Sequence, residues 1–273
     1  MSEESKIRDA ADAVKGIVEA VPIYQDALQP AAKEIGKGLQ TVAKTIHIAL
    51  APIAALVWGY DQIRDFVTTR VAEKLKGVPQ ERIKTPSATV AGPALEALRY
   101  TGHDANLREL YANLLATSID SETAASAHPA FVDMIKNMAP DEAKIMRLFA
   151  TRGVYPVLDL KLYLKEGGGF IFLHQNISLI GADAGCEHPK FGANYLDNLS
   201  RLGLIQVPYG YHLKDDKEYE PIERHAQVLE LEEEYKDHEL YSFAVDRKKA
   251  EVTNLGKQFI AACVIDKAIQ TKT

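Results

Sequence analysis

Residues 94–149 read ALEALRYTGHDANLRELYANLLATSIDSETAASAHPAFVDMIKNMAPDEAKIMRLF, and this stretch decides the fold. Leu107, Leu110, Tyr111, Leu114, Leu115 and Ile119 recur at spacings of three and four, which places them on one helix face. Asp104 or Asn106 is the expected cap, because a short carboxylate or amide accepts from the first free N–H groups. Ser118 to Ser126 is too small and polar to continue a buried stripe. A short second helix follows His128-Pro129, with Phe131, Val132, Ile135 and Met138 inward. Pro140-Asp141-Glu142 opens a third, since proline suits the first turn and carboxylates suit the positive end of the helix dipole. Ile145, Leu148 and Phe149 are its buried side.

Downstream the pattern turns mixed. Leu158–Leu164 is apolar, Gly167–Gly169 is a turn, and Phe170–Leu173 reads as strand. No Gly-Lys-Ser/Thr follows the glycines, so they are not a phosphate loop. Residues 190–203 form a helix with Phe191, Tyr195, Leu199 and Leu202 on one face, closed by Gly203. The strand LIQVPYG follows, YSFAVDRKKAEVTN supplies one or two more, and Leu255–Ala268 closes as a helix around Phe259, Ile260, Cys263 and Val264. That order, with LDNLSRLGLI turning from helix into strand, predicts a winged-helix-like α+β domain. The segment 215–239 is an acidic insertion in it, carrying eleven carboxylates from Asp215 to Glu239.

Upstream, residues 5–20 and 61–76 read as amphipathic helices, the second with Ile63, Phe66, Val67, Val71 and Leu75 inward. Between them Leu28, Ala32, Ile35, Leu39, Val42, Ile46, Ala49 and Ile53 step by four and three. This is a heptad seam suited to assembly with another helix or another copy. Residues 45–60, TIHIALAPIAALVWGY, contain no Asp, Glu, Lys or Arg. Their apolar side chains, Ile48, Leu50, Ile53, Leu56, Val57 and Trp58, suit either a buried core helix or a segment that enters lipid conditionally. The run is shorter than the roughly 20 residues of a bilayer span, and Pro52 interrupts it. Pro79, Pro86, Gly92 and Pro93 mark 77–93 as a linker. The expected fold class is mainly α, in four parts. Helices occupy 1–76, the linker 77–93, the helical hub 94–139, and the winged-helix-like domain 140–273.

A chain of 273 residues with 47% hydrophobic and 26% charged residues can bury a core in two modest domains. A net charge of -6 argues against general affinity for nucleic acid, and the acidic insertion argues against duplex binding in particular. Cys186 and Cys263 are too few for a disulfide framework, and the first residues lack a secretory pattern. The expected location is therefore the cytoplasm, with membrane association on activation if residues 45–60 enter lipid.

Nothing selects an active site. Cys186 and His188 lack the further ligands a zinc cage needs. His103, Asp104, Glu109, Glu96 and Arg99 read as caps or surface pairs, and His128 as a turn residue. No cofactor, metal or small-molecule substrate is expected, and the chain reads as a non-enzyme.

LRELYANLLATSID, HPAFVDMIKNMAPDEAKIM, YLDNLSRLGLI and VTNLGKQFIAAC together resemble the Abi-alpha family of bacterial abortive-infection, or phage-defence, proteins. The likeness covers residues 94–264. It implies a biological setting and carries over no catalytic residue. The leading expectation is a non-enzymatic effector that acts through membrane association or self-assembly of its N-terminal helices. The alternatives are a soluble adaptor that binds protein through the winged-helix-like module, and a DNA-binding regulator. An enzyme comes last.

Overall fold

The computed structural model describes residues 57–267. The seam residues Leu28, Ile35, Leu39, Val42, Ile46 and Ile53, with Ile48, Leu50 and Leu56, lie outside the described residues. Val57 and Trp58 lie inside them and are half-buried. The chain divides into compact units at residues 63/64, within the first described helix, and the second unit is mixed α+β, mainly helical. No helix among the described residues is long and apolar enough to cross a membrane.

Helix α1 begins as Tyr60–Phe66, widens into a π-helical turn at Val67–Val71 and ends as Ala72–Lys74. Phe66 and Val71 are buried as the spacing predicts, but so is Lys74, at 1% exposure. Lys74 is held by Glu109 at 2.9 Å and Asp266 at 3.0 Å, which supplies the counter-charge a buried ammonium needs.

Helix α2 (Ala88–Thr101) starts inside the stretch expected to be linker. Ser87 caps it by accepting from Thr89 N–H, and Pro93 sits within it on an exposed face. The carbonyl that loses its partner to this proline belongs to Thr89, which is also exposed, so water can satisfy it.

Helix α3 (Ala105–Ile119) is the hub axis. Asp104 caps it through Asn106 N–H and Leu107 N–H, at 2.8 and 2.9 Å. Burial goes beyond the single face expected: every residue from Leu110 to Ser118 is buried, including Asn113, Thr117 and Ser118. The donors of these three are matched to backbone, while Asn113 Oδ1 is left without a hydrogen-bond partner among the described residues. Helix α10 (Asn254–Phe259) runs into a π-helical turn, Ile260–Val264, whose final carbonyls lack intrahelical donors. Asn113 Nδ2 donates to the Cys263 carbonyl at 3.0 Å and Thr117 Oγ1 to that of Ala262 at 3.1 Å.

Helix α4 (Ala130–Lys136) meets α10 through Phe131 and Phe259, edge to face with ring centres 5.3 Å apart. Helix α5 (Pro140–Arg152) ends at Gly153, whose φ of 74° lets the chain turn directly into strand. Asp120 receives Arg82 at 2.6 Å and Lys267 at 2.8 Å, which ties the last described residue to the end of α3. Burial works to raise the Asp120 pKa, but these hydrogen-bonded cations hold it well below the ordinary carboxylate range.

Strands β1 (Val154–Leu164), β2 (Phe170–Ile177), β3 (Ile205–Gln206) and β4 (Tyr241–Val252) form one antiparallel sheet in the order β2-β1-β4-β3. The long β1–β4 ladder runs from Val154 opposite Glu251 to Leu164 opposite Tyr241. Between β2 and β3 lie the short α6 (Ile180–Asp183) and α7 (Gly192–Arg201). YSFAVDRKKAEV is a single strand, while LIQVPYG pairs only through Ile205 and Gln206.

The acidic insertion is helical: a 3-10 turn at Asp216–Glu218, then α8 (Glu220–Glu223) and α9 (Ala226–Tyr235). It is also part of the core. Buried Tyr219 and Ile222 pack with Leu158, and Leu213, Val245, Ile177 and Leu179 close around them. The Tyr219 hydroxyl donates to the Lys248 carbonyl and accepts from Leu213 N–H, both at 2.8 Å.

Candidate interaction surface

The end of the sheet that lies away from the hub is built from the β1–β2 hairpin and the start of β4. Residues 165–169 turn the hairpin with Gly167, Gly168 and Gly169 at φ of 92°, 70° and 106°, a run of left-handed backbone open only to glycine. The strands on either side of this turn carry exposed apolar side chains. Tyr163, Leu164, Phe170, Ile171 and Phe172 are 38–50% exposed, and Leu240 beside them is 64% exposed. By strand alternation Tyr163, Phe170 and Phe172 share one face of the hairpin, and Leu164 and Ile171 the other.

Beneath the aromatic face the sheet is charged and fully paired. Lys161 is completely buried, is bonded to Asp246, and lies 4.3 Å from the Phe170 ring, 5.1 Å from Phe172 and 5.4 Å from Tyr209. Burial alone would lower the pKa of this ammonium, and the Asp246 carboxylate reverses the effect and raises it. The rings are therefore held open over a permanent cation by cation–π attraction. One turn of the pleat away, buried Lys248 meets Asp159 at 2.7 Å and Asn176 Oδ1 at 2.9 Å. Asn176 adopts φ 58° and uses its N–H on Asp159 and its amide on Asp197, each at 2.9 Å.

The flank beside β4 is acidic. Helix α9 contributes Glu230, Glu232, Glu233 and Glu234, of which Glu233 pairs with Lys236 at 3.2 Å. A cavity of about 630 Å³ opens between α9 and β4, lined among others by Lys165, Leu229, Glu232 and Phe243.

The side chains considered as catalytic candidates have structural partners. The Cys186 thiol is pushed up to about 11, chiefly by burial, and it donates to the Asp141 carbonyl. His188 contributes its backbone N–H to Asp141 at 3.0 Å, beside Glu187 N–H at 2.8 Å and the Tyr195 hydroxyl at 3.1 Å. Burial works to raise Asp141, yet those donors and Lys144 bring it down to about 2. His128 Nδ1 accepts from Ala130 N–H, as a turn residue does. Glu109 forms a pair as expected, but with buried Lys74 as well as Arg70. Among the described residues no group of three or more His, Cys, Asp or Glu could hold a metal ion.

The fold defines the protein as a mainly helical α+β body with an exposed apolar sheet end. A family model described as Abortive infection alpha matches residues 59–263, most of the chain. The chain belongs to the abortive infection alpha family, and its general setting is abortive infection, a form of phage defence. No curated protein matches the sequence. Among solved structures, one titled as an uncharacterized protein from the hydrocarbon-degrading marine bacterium Alcanivorax borkumensis SK2 matches at 20% identity. It covers 48% of this chain and 89% of that one, with a TM-score of 0.35.

Proposed function

We propose that this protein is a non-enzymatic phage-defence effector whose α+β body is a protein-binding module. Its N-terminal helices deliver the effect, by self-assembly or by acting on membranes. The observation that carries the reading is the exposed apolar end of the sheet, held open over the Lys161–Asp246 pair. The element order is compatible with a winged-helix-like reading: helix α5, strand β1, helices α6 and α7, then β3 and β4, with β2 and the acidic helices as insertions. The acidic α9 beside the same sheet disfavours a duplex of phosphates as the ligand.

The test replaces Phe170, Ile171 and Phe172 together by serine and challenges expressing cells with phage. With steady-state protein level and melting temperature matched to wild type, protection should be lost. Full protection by the triple variant would remove the sheet end from the function.

A further inference from the structure

Strand β2 is the outermost strand on its side of the sheet. Leu164 N–H donates to the Gly169 carbonyl at 3.1 Å, and Leu162 lies opposite Ile171. Antiparallel pairs alternate, so Ile171 turns its N–H and C=O toward β1 while Phe170 and Phe172 turn theirs outward. Natural sheet edges are guarded by lysine, proline, inward charge or a covering element. The strand Phe170–Ile177, FIFLHQNI, has no Lys, Arg, Asp, Glu or Pro, and Phe170 to Phe172 are exposed. Register shifts in the β1–β2 ladder fall between Leu158 and Lys161, and the left-handed Asn176 lies at the same end. They leave Phe170–Phe172 in regular pairing. This is an edge built to be joined.

We propose that β2 of one copy pairs antiparallel with β2 of a second copy about a two-fold axis, extending the sheet from four strands to eight. The inference deepens the interaction reading above by naming the occupant. Charge distribution chooses it. The acidic α9 lies against β4, which is separated from β2 by β1, so the carboxylates stand on the far side of the sheet. Phe170–Phe172 carry no charge and the adjoining turn carries one of each sign, Lys165 and Glu166, while the far end of the strand has Asp197 bonded to Asn176. A second copy that pairs through Phe170–Phe172, with the two-fold axis at Ile171, therefore meets no like charge in the paired segment, despite the net charge of -6. A basic foreign segment would be drawn to the α9 flank instead. The regularly paired residues Phe170–Phe172 extend over about 10 Å. With their half-exposed side chains they make an interface smaller than that of stable specific complexes. The dimer is therefore concentration-dependent.

Sedimentation equilibrium of the full chain, from low to high micromolar, tests this. The mass should rise from 30.1 kDa toward twice that value. Ile171→Lys, which charges the edge, and Phe172→Pro, which removes an outward N–H without touching the β1 ladder, should stay at one chain mass. A wild type that remains monomeric overturns the proposal. So does a dimer that survives both substitutions, because the association then lies elsewhere. A folded Phe172→Pro that dimerises while Ile171→Lys does not would replace strand pairing by side-chain docking, and overturns it too. If Phe172→Pro fails to fold, hydrogen exchange of the wild-type Phe170 and Phe172 amides decides. Protection that grows with concentration supports pairing, and fast exchange throughout refutes it. A monomeric wild type combined with loss of phage protection in the triple serine variant would leave the interaction reading standing, with a foreign partner.

Discussion

Helix α3 and strand β2 invert the usual relation between polarity and burial. Asn113, Thr117 and Ser118 are polar and inside; Phe170, Ile171 and Phe172 are apolar and outside. The interior polar groups complete backbone: Asn113 and Thr117 cover carbonyls that the π turn at Ile260–Val264 leaves open. The exterior rings of Phe170 and Phe172 touch each other and the Lys161 ammonium, and among the described residues they otherwise stay exposed. Where a polar side chain is buried, the fold uses its donors; where an apolar strand is exposed, the described fold leaves it uncovered.

The sharpest way to break this contrast is a pair of truncations measured side by side. Leu114, fully buried in α3, should lose about 2–5 kcal/mol on substitution by alanine, read as a lower urea midpoint. Phe172→Ser in the same assay should cost less, roughly 1 kcal/mol, through its lost contacts with Lys161 and Phe170. Comparable losses would show that β2 is core after all.

Next in size is Asn113→Ala, which strips the donor from the Cys263 and Val264 carbonyls. It should cost about 1–3 kcal/mol, while amide exchange in α10 speeds up. An unchanged α10 would mean that the side chain fills space and nothing more.

The smallest effect concerns acid. Asp141 sits at about 2 when folded against an ordinary 3.8, so its stabilisation is present above the ordinary value and is lost as pH falls through about 2. Between those limits the melting temperature of wild type should climb with pH more steeply than that of Asp141→Asn. Parallel curves would deny the carboxylate its role in binding the 187–188 loop.

Much of the hub was legible in the sequence because its signals are local. The three-and-four spacing, the Asp104 cap and the Pro140 start each depend on a few neighbouring residues, as does the triple-glycine turn. What escaped depends on distant partners. Nothing in the sequence singles out Lys74, Lys161 and Lys248, because their partners Asp266, Asp246 and Asp159 reach them only across the fold. The acidic stretch 215–239 read as a solvated insertion because Tyr219 and Ile222 reveal their burial only when Leu158 faces them. Pro93 suggested a linker, and an exposed helix face accommodated it. Of the interaction surface only FIFL was visible, as a strand. That it forms an edge follows from the pairing order alone.

The bond from Asn113 to the Cys263 carbonyl joins residues 150 positions apart. On a translating ribosome, at roughly 5–20 residues per second, α3 emerges about 8–30 s before the turn that covers it. Throughout that interval the deeply buried axis of the hub lacks its final partner, and only later synthesis supplies one. The hub is therefore completed only once α10 has been made, and a nascent chain stalled before α10 presents an unfinished hub to chaperones and proteases.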